Sequence, residues 1–155
     1  MDGNDLPRRL SRRVRVGLLL LGLGPAPALA GDAPKQNACP VDGCEVRIVD
    51  VRRAGDELEL TYEANFLPDV ARNHIHAWWG DLYTVEQASR DAETRHGVTK
   101  GKWHRHDDYP TYVTTEAAST TLRQGSTTIC VSPADRGHNI LDVSIRHCVD
   151  VARFF

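Results

Sequence analysis

Residues 58–66 alternate without a break between apolar and polar side chains, which is the strongest constraint this sequence places on its fold. A period of two over this length is typical of a β-strand with one face buried and the other in water. A second β-rich run covers residues 46–51, and Gly55 and Asp56 provide a turn between the two runs. We therefore expect a hairpin with one apolar face, ended by Pro68.

Short runs rich in β-branched and aromatic residues continue along the chain, separated by turn-forming residues. Several short strands with little helix are typical of two sheets packed face to face. The sequence therefore predicts a mainly β fold over residues 45–155: a small immunoglobulin-like β-sandwich with one short helix, long loops and stabilising disulfides. Beyond the hairpin, we expect strands at residues 74–79, 111–118 and 126–132, with one or two more within 140–151.

Residues 84–96 are the one segment whose side chains suit a helix, which would be short and lie on a sheet edge. Thr84 and Gln87 have the spacing of a capping box at a helix start. Gly97 stands where a left-handed residue would end the helix. A polar and aromatic stretch follows at residues 97–110, and we expect a long loop there. Ordered loops of this length frequently carry functional residues.

The N-terminal segment has the three-part order of a secretory signal peptide. Five arginines lie within residues 8–15, an apolar run covers residues 16–23, and the sequence Ala-Leu-Ala ends at Ala30. The apolar run is shorter than the about 20 residues that a membrane-spanning helix needs. We therefore expect residues 1–30 to be removed on secretion, and residues 31–44 to form a flexible lead-in that contains the first cysteine pair.

The four cysteines all follow the expected cleavage point, and an even number in an exported chain favours two disulfides. Cys39 and Cys44 flank the turn-forming segment Pro-Val-Asp-Gly, so a local bridge is feasible. Cys130 would then pair with Cys148, although a crossed pairing such as Cys39 with Cys148 stays open. Neither gap has the C-x-x-C spacing typical of a cysteine zinc site.

Charge restricts the partners of the mature chain. Residues 31–155 contain 14 basic and 19 acidic residues, a net charge of −5 with neutral histidine. Nucleic-acid binding depends on cationic side chains that neutralise phosphates, so no nucleic acid and no anionic membrane surface is expected as a partner. An extracellular protein or a small ligand is expected instead. In the full chain, arginine outnumbers lysine 16 to 3, a bias typical of GC-rich bacterial genomes.

Two His-x-His pairs are the candidate metal ligands: His74 with His76, and His104 with His106. Residues i and i+2 of a strand project from the same face, so both imidazoles of a pair can reach one ion. Imidazole suits copper and zinc. One hypothesis is therefore that these four histidines share a copper or zinc site. The alternative is that the histidines occupy a polar strand face and point into solvent beside Trp78.

Aromatic residues flank the same histidines and suggest a second kind of site. Trp78 and Trp79 are adjacent, so on a strand they point to opposite faces, and at least one is expected in the core. Trp78 could line a ligand groove together with Trp103, Tyr109 and Tyr112. Exposed aromatic rings mark binding surfaces, whereas buried ones only pack. The groove and simple core packing are both open at this point.

No motif in the sequence indicates a particular reaction. The G-x-S-x-G nucleophile elbow, the phosphate loop and the dinucleotide fingerprint are all missing. Ser132, Asp135 and His138 are crowded into one turn, whereas triad members come from separate elements, so we interpret them as turn-forming residues. The sequence favours a secreted, non-catalytic binding or interaction domain that uses a surface rich in histidine and tryptophan. A copper- or zinc-binding protein is the alternative, and a small secreted hydrolase is a weaker one.

The segment Ala-Leu-Ala before Gly31 predicts the mature N-terminus. Protein exported by its native host should begin at Gly31, because small residues at positions −3 and −1 fit signal peptidase. Intact-mass measurement of the purified protein checks this expectation. A mass that includes residues 1–30 would contradict it and favour a membrane anchor.

Overall fold

The computed structural model describes residues 38–155. The expected signal peptide, residues 1–30, and residues 31–37 of the lead-in lie outside the described residues. Within the described part of the chain, most of the regular structure is β-strand. The strands are β1 (Val46–Ala54), β2 (Glu57–Ala64), β3 (His74–Trp79), β4 (His104–His106), β5 (Thr111–Val113), β6 (Thr128–Ala134) and β7 (His147–Asp150).

The strands form two antiparallel sheets. The first sheet has the order β1-β2-β5, and the second has the order β4-β3-β6-β7. One apolar core contains side chains from both sheets, so the sheets pack face to face. The expected mainly β fold with two sheets is confirmed, and the immunoglobulin-like arrangement is consistent with it.

The core between the sheets follows from the period-two patterns in the sequence. In β2 the apolar positions are buried, and Leu58 and Leu60 are both 0% exposed. Burial of one such side chain contributes about 1.5–3 kcal/mol. From the second sheet, β3 adds Ile75, Ala77 and Trp79 to the same core. These three residues define the inner face of β3, which packs on the core. The other three residues of the strand, His74, His76 and Trp78, therefore project from its outer face.

The outer face of the second sheet is also covered. Trp78 is 1% exposed and packs in a second apolar cluster with Val85, Ala88 and Ile140. Val85 and Ala88 come from the long connection between β3 and β4, which therefore lies against this face. As a result, all six residues of β3 are buried, on both sides of the strand.

The segment 84–96 forms the expected capping box but not the expected continuous helix. Thr84 N donates to Gln87 Oε1 at 3.0 Å, and Gln87 N donates to Thr84 Oγ1 at 3.4 Å. Turns follow, and only Ala92–His96 is helical, as a π-helix that ends at Gly97 with φ of +67°. An isolated helix of this length is marginal, so packing against the sheet decides the backbone here.

Several strand limits differ from the expected ones. β5 ends at Val113 rather than at residue 118, because the Thr114 hydroxyl accepts from Leu58 N at 2.9 Å and donates to Glu57 Oε2 at 2.6 Å. β6 is shifted by two residues from the expected 126–132, and β4 interrupts the expected loop at 97–110. Short 3-10 helices cover Glu116–Ala118, Thr120–Leu122 and Ala152–Phe154.

Two disulfides have the pairing that sequence spacing favoured. Cys39 bonds to Cys44, and Cys130 bonds to Cys148, with no free cysteine among residues 38–155. Two disulfides suggest an oxidising environment outside the cytoplasm. Among the described residues, no helix is long and apolar enough to cross a membrane.

The second disulfide joins β6 to β7 at directly paired positions. Gly80, just after β3, leaves room for it, because a Cβ at that position would lie 2.5 Å from Cys130 Sγ. The disulfide thus links β6 covalently to β7, next to the C-terminal end of β3.

Removal of the two disulfides should destabilise the protein to different extents. The bridged residues are 5 positions apart in Cys39–Cys44 and 18 apart in Cys130–Cys148. From loop-closure entropy we expect losses of about 2 kcal/mol and about 3 kcal/mol, respectively. Chemical denaturation of the double variants C39A/C44A and C130A/C148A measures both losses. A larger loss in C39A/C44A would contradict the ranking.

Candidate metal site

Three imidazole rings meet on the outer face of the second sheet, the face directed away from the first sheet. His74 and His76 belong to β3, and His138 belongs to the turn after β6. His74 Nε2 lies 3.2 Å from His76 Nε2 and 3.1 Å from His138 Nδ1. One nitrogen of each ring lies within 4.8 Å of those of the others. We call this group the three-histidine cluster.

Strand pairing brings the third histidine to the other two. In the register of β3 with β6, His74 is paired with Ala134, the last residue of β6. The chain then turns through residues 135–139 and returns to pair Ile140 with Ala134. His138 has φ of +66° in this turn, a left-handed conformation that costs a non-glycine residue about 1 kcal/mol or more. The turn thereby holds the His138 ring over His74.

The β3 histidines are not on a solvent-facing surface, contrary to one of the two sequence expectations. His74 and His76 are each 0% exposed. Val85 and Ala88 cover this side of the strand, and the Trp103 ring stacks on the His76 ring with centroids 5.1 Å apart. Only His138 is partly open to solvent. The cluster is therefore a buried polar group with one accessible side.

The surroundings keep the three rings neutral. Burial, reinforced by His138, lowers the pKa of His74 to about 4. Burial also lowers the pKa of His76 to about 3, although the hydrogen bond to the Ala88 carbonyl opposes this shift. The pKa of His138 is lowered by burial and then by the charge of Arg105. Neutral imidazole is the form that coordinates metal ions.

Proton positions in the cluster follow from its two outer partners. The Ala88 carbonyl lies 2.7 Å from His76 Nδ1 and can only accept, so His76 carries its proton on Nδ1 and a lone pair on Nε2. The Arg105 guanidinium lies 2.7 Å from His138 Nε2 and can only donate. Neutral His138 therefore carries its proton on Nδ1. His74 Nε2 lies between a lone pair on one side and an N–H group on the other.

His74 Nε2 cannot form a favourable hydrogen bond with both neighbouring nitrogens at once. With a proton, it donates to His76 Nε2 but opposes the N–H group of His138. With a lone pair, it accepts from His138 but opposes the lone pair of His76 at 3.2 Å. Buried polar atoms are normally satisfied, so one unfavourable contact in every neutral arrangement is unusual. A cation beside these nitrogens would accept their lone pairs and remove the conflict.

Two of the three spacings between the nitrogens suit a small transition-metal ion, and all three nitrogens lie within 4.8 Å of one another. Two nitrogens, each about 2.0–2.1 Å from a tetrahedral zinc ion, lie about 3.3 Å apart. The two short distances in the cluster are 3.2 Å and 3.1 Å. The hydrogen bond from His76 Nδ1 to the Ala88 carbonyl also orients the ring, as backbone carbonyls commonly do for histidine ligands. An ion held by these three imidazoles would have room for a fourth ligand from the solvent side, where His138 is partly exposed.

The second His-x-His pair lies elsewhere. The register of β3 with β4 pairs Ile75 with His106 and Ala77 with His104. Directly paired residues share a face, so His104 and His106 lie on the inner face, opposite the β3 histidines. The structure does not bring His74, His76, His104 and His106 to one point, because the two pairs occupy opposite sides of the same sheet.

On the inner face, His104 and His106 belong to an aromatic stack between the two sheets. The His106 ring lies 3.8 Å from the Tyr112 ring with an interplanar angle of 7°, and its Nε2 lies 3.3 Å from the Tyr62 hydroxyl. His104 Nδ1 lies 3.2 Å from Glu116 Oε2. Tyr62 and Tyr112 come from the first sheet, so these contacts join the sheets at the β4 side of the molecule.

The four aromatic residues of the expected ligand groove do not come together either. Trp78 and Trp103 pack in the cluster on the outer face of the second sheet, whereas Tyr109 and Tyr112 pack against the core between the sheets. Trp78 and Tyr112 are each 1% exposed. Of these rings, Trp103 is the one that contacts the three-histidine cluster.

His138 is the site residue that sequence reasoning missed. The sequence of its segment indicates a turn, which fits Asp135, whose carboxylate accepts from Asn139 N at 2.9 Å. Ser132 is likewise occupied, since its hydroxyl donates to the Ile145 carbonyl at 2.6 Å. No spacing in the sequence links His138 to the β3 histidines. The signal becomes visible only when β6 is paired with β3.

Buried His106 should make the free energy of unfolding depend on pH. Burial, and then the charge of His104, lower its folded-state pKa to about 3, below the about 6.5 of an unfolded chain. As the pH falls below about 6.5, the unfolded chain takes up a proton that folded His106 does not, so stability falls. Between pH 7 and 5 we expect wild type to lose on the order of 1–2 kcal/mol more than His106→Phe.

Denaturation with urea at several pH values, with a chelator present, measures this difference. The phenyl ring of the variant retains a flat partner for Tyr112 but cannot titrate. Parallel stability curves for the two proteins over this pH range would contradict the prediction.

Comparisons of the chain with family models, with curated proteins and with solved structures find no match in any of the three. The chemistry of the three-histidine cluster therefore has to follow from its own geometry. That geometry consists of two buried imidazoles and one partly exposed imidazole, whose ring nitrogens meet at His74 Nε2 with conflicting hydrogen-bond requirements.

Proposed function

We propose that this protein is an exported β-domain that binds one zinc or copper ion through His74, His76 and His138. The observation that carries the proposal is the conflict at His74 Nε2, which hydrogen bonding among neutral rings cannot resolve. The two anchors that fix the conflict are the Ala88 carbonyl at 2.7 Å from His76 and the Arg105 guanidinium at 2.7 Å from His138. An ion at the centre would turn the opposed lone pairs into ligands.

The donor set supports zinc or copper over other ions. All three donors are imidazole nitrogens, which suit these two metals, whereas calcium and magnesium require oxygen ligands. All cysteines among the described residues are in disulfides, so a thiolate site is not available there. Because their pKa values are low, His74 and His76 are already neutral near pH 7, so metal binding requires no net loss of protons from these two rings.

Export is supported by two independent features. The N-terminal segment has the order of a signal peptide, and both disulfides suit an oxidising compartment. The arginine-rich composition supports a bacterial source. The protein would then bind its ion outside the cytoplasm as a binding domain, since Ser132 and Asp135 are both occupied by structural hydrogen bonds.

Metal analysis of protein purified without a histidine tag tests the proposal. After dialysis against zinc or copper and removal of excess ion, we expect about one ion per chain. His138→Ala should weaken binding by at least about 100-fold, because loss of a direct ligand exceeds the 10–100-fold effect of outer-shell changes. His138 lies on a partly exposed turn, so the variant should retain the fold.

His104→Ala is the matched control, because it removes an imidazole from the opposite face of the same sheet. This variant should bind the ion as wild type does. Saturating metal should also raise the midpoint of thermal unfolding, reversibly with chelator, because an ion bound only to the folded state stabilises it. Metal-free wild-type protein, or equal binding by His138→Ala, would overturn the proposal.

A further inference from the structure

Arg105 is a charged residue in direct contact with His138, the partly exposed member of the three-histidine cluster. It lies on β4, directly paired with His76 of β3, so its side chain extends over the outer face of the sheet. Its Nη1 atom donates to His138 Nε2 at 2.7 Å. The side chain is exposed to solvent. Arg105 therefore connects the accessible ligand of the cluster to the surface.

Binding of an ion by His138 is incompatible with this hydrogen bond. The nitrogen of His138 that faces the cluster is Nδ1, and coordination requires a lone pair there. The remaining proton of neutral His138 must then be on Nε2. The Arg105 guanidinium and Nε2–H are both donors, so they can no longer pair. Coordination through Nδ1 would therefore release the guanidinium from His138, at the solvent-exposed edge of the cluster.

The charges around the loaded site would be positive without a further ligand. Three neutral imidazoles leave the two charges of a divalent ion uncompensated. Arg105 and Arg90 add positive charge near His138. Asp135 supplies one negative charge near His74 and His138, which offsets only part of this positive charge, and its carboxylate oxygens accept from Asn139 N at 2.9 Å and Asn139 Nδ2 at 3.2 Å within the turn. A partly buried cation of this kind is unfavourable unless an opposite charge pairs with it.

We propose that the metal ion takes a small anion as its fourth ligand, and that Arg105, released from His138, forms an ion pair with this anion. The class of ligand is a small anion with one donor atom for the metal and another for the guanidinium, such as a carboxylate. The inference rests on the proposed metal site and adds its ligand class. Arg105 would not coordinate the ion itself. It would act as a specificity-determining residue, because its charge selects an anion as the fourth ligand.

Azide titration of the copper(II)-loaded protein tests this inference, with the azide-to-copper charge-transfer absorption as the readout. Wild type should bind azide saturably. Arg105→Gln should weaken azide binding by about tenfold or more, because it removes a charge-assisted contact. Arg105→Lys should recover part of the affinity. The matched control is Arg47→Gln, which makes the same charge change at an exposed pair with Glu63 on the first sheet and should bind azide as wild type does.

Copper content, measured first on every variant, separates the two proposals. Arg105→Gln should bind as much copper as wild type, because Arg105 is not a ligand. If wild type binds no copper, the metal-site proposal fails and the anion inference fails with it. If copper is bound but azide binds equally to wild type and Arg105→Gln, or to neither, the anion inference alone is overturned.

Discussion

Burial of β3 on both faces is the constraint on which the rest of the structure depends. A strand in a two-sheet fold normally packs one face inward and leaves the other to solvent. Here the inner face carries Ile75, Ala77 and Trp79, while the outer face carries two histidines and a tryptophan. The long connection after β3 covers that outer face. Without this cover, His74 and His76 would be ordinary surface residues.

Burial of imidazoles has an energetic cost that the fold must offset. Each ring removed from water loses its favourable hydration, and in the cluster one nitrogen contact is always unfavourable. The compensation comes from the aromatic and aliphatic neighbours, such as Trp103 stacked on His76 and the fully buried Ala88. A polar group held at this cost, on the face that could have been wholly apolar, is a reason to assign the cluster a function.

Sequence periodicity predicted the parts of the fold that depend on near neighbours. The alternation in β2, the two faces of β3 and the pairing of cysteines all follow from residues close in the chain. The capping residues of segment 84–96 predict one helix. Its contacts with the sheet, which a local pattern does not contain, reduce that helix to Ala92–His96. The sequence also does not reveal the register between strands. In the structure, the register of β3 with β4 places His104 and His106 on the inner face, and the pairing of β3 with β6 places His138 beside His74.

For the proposed site, the three ligands differ in how firmly the backbone holds them. His76 is held by strand pairing with β4 on one side and β6 on the other, and His74 is held by pairing with β6. His138 comes from a short turn between two paired residues and is partly open to solvent. A site with two rigid donors and one adjustable donor can adopt trigonal or tetrahedral coordination. Which of the two metals it carries would then depend on the supply in its compartment more than on the shape of the site.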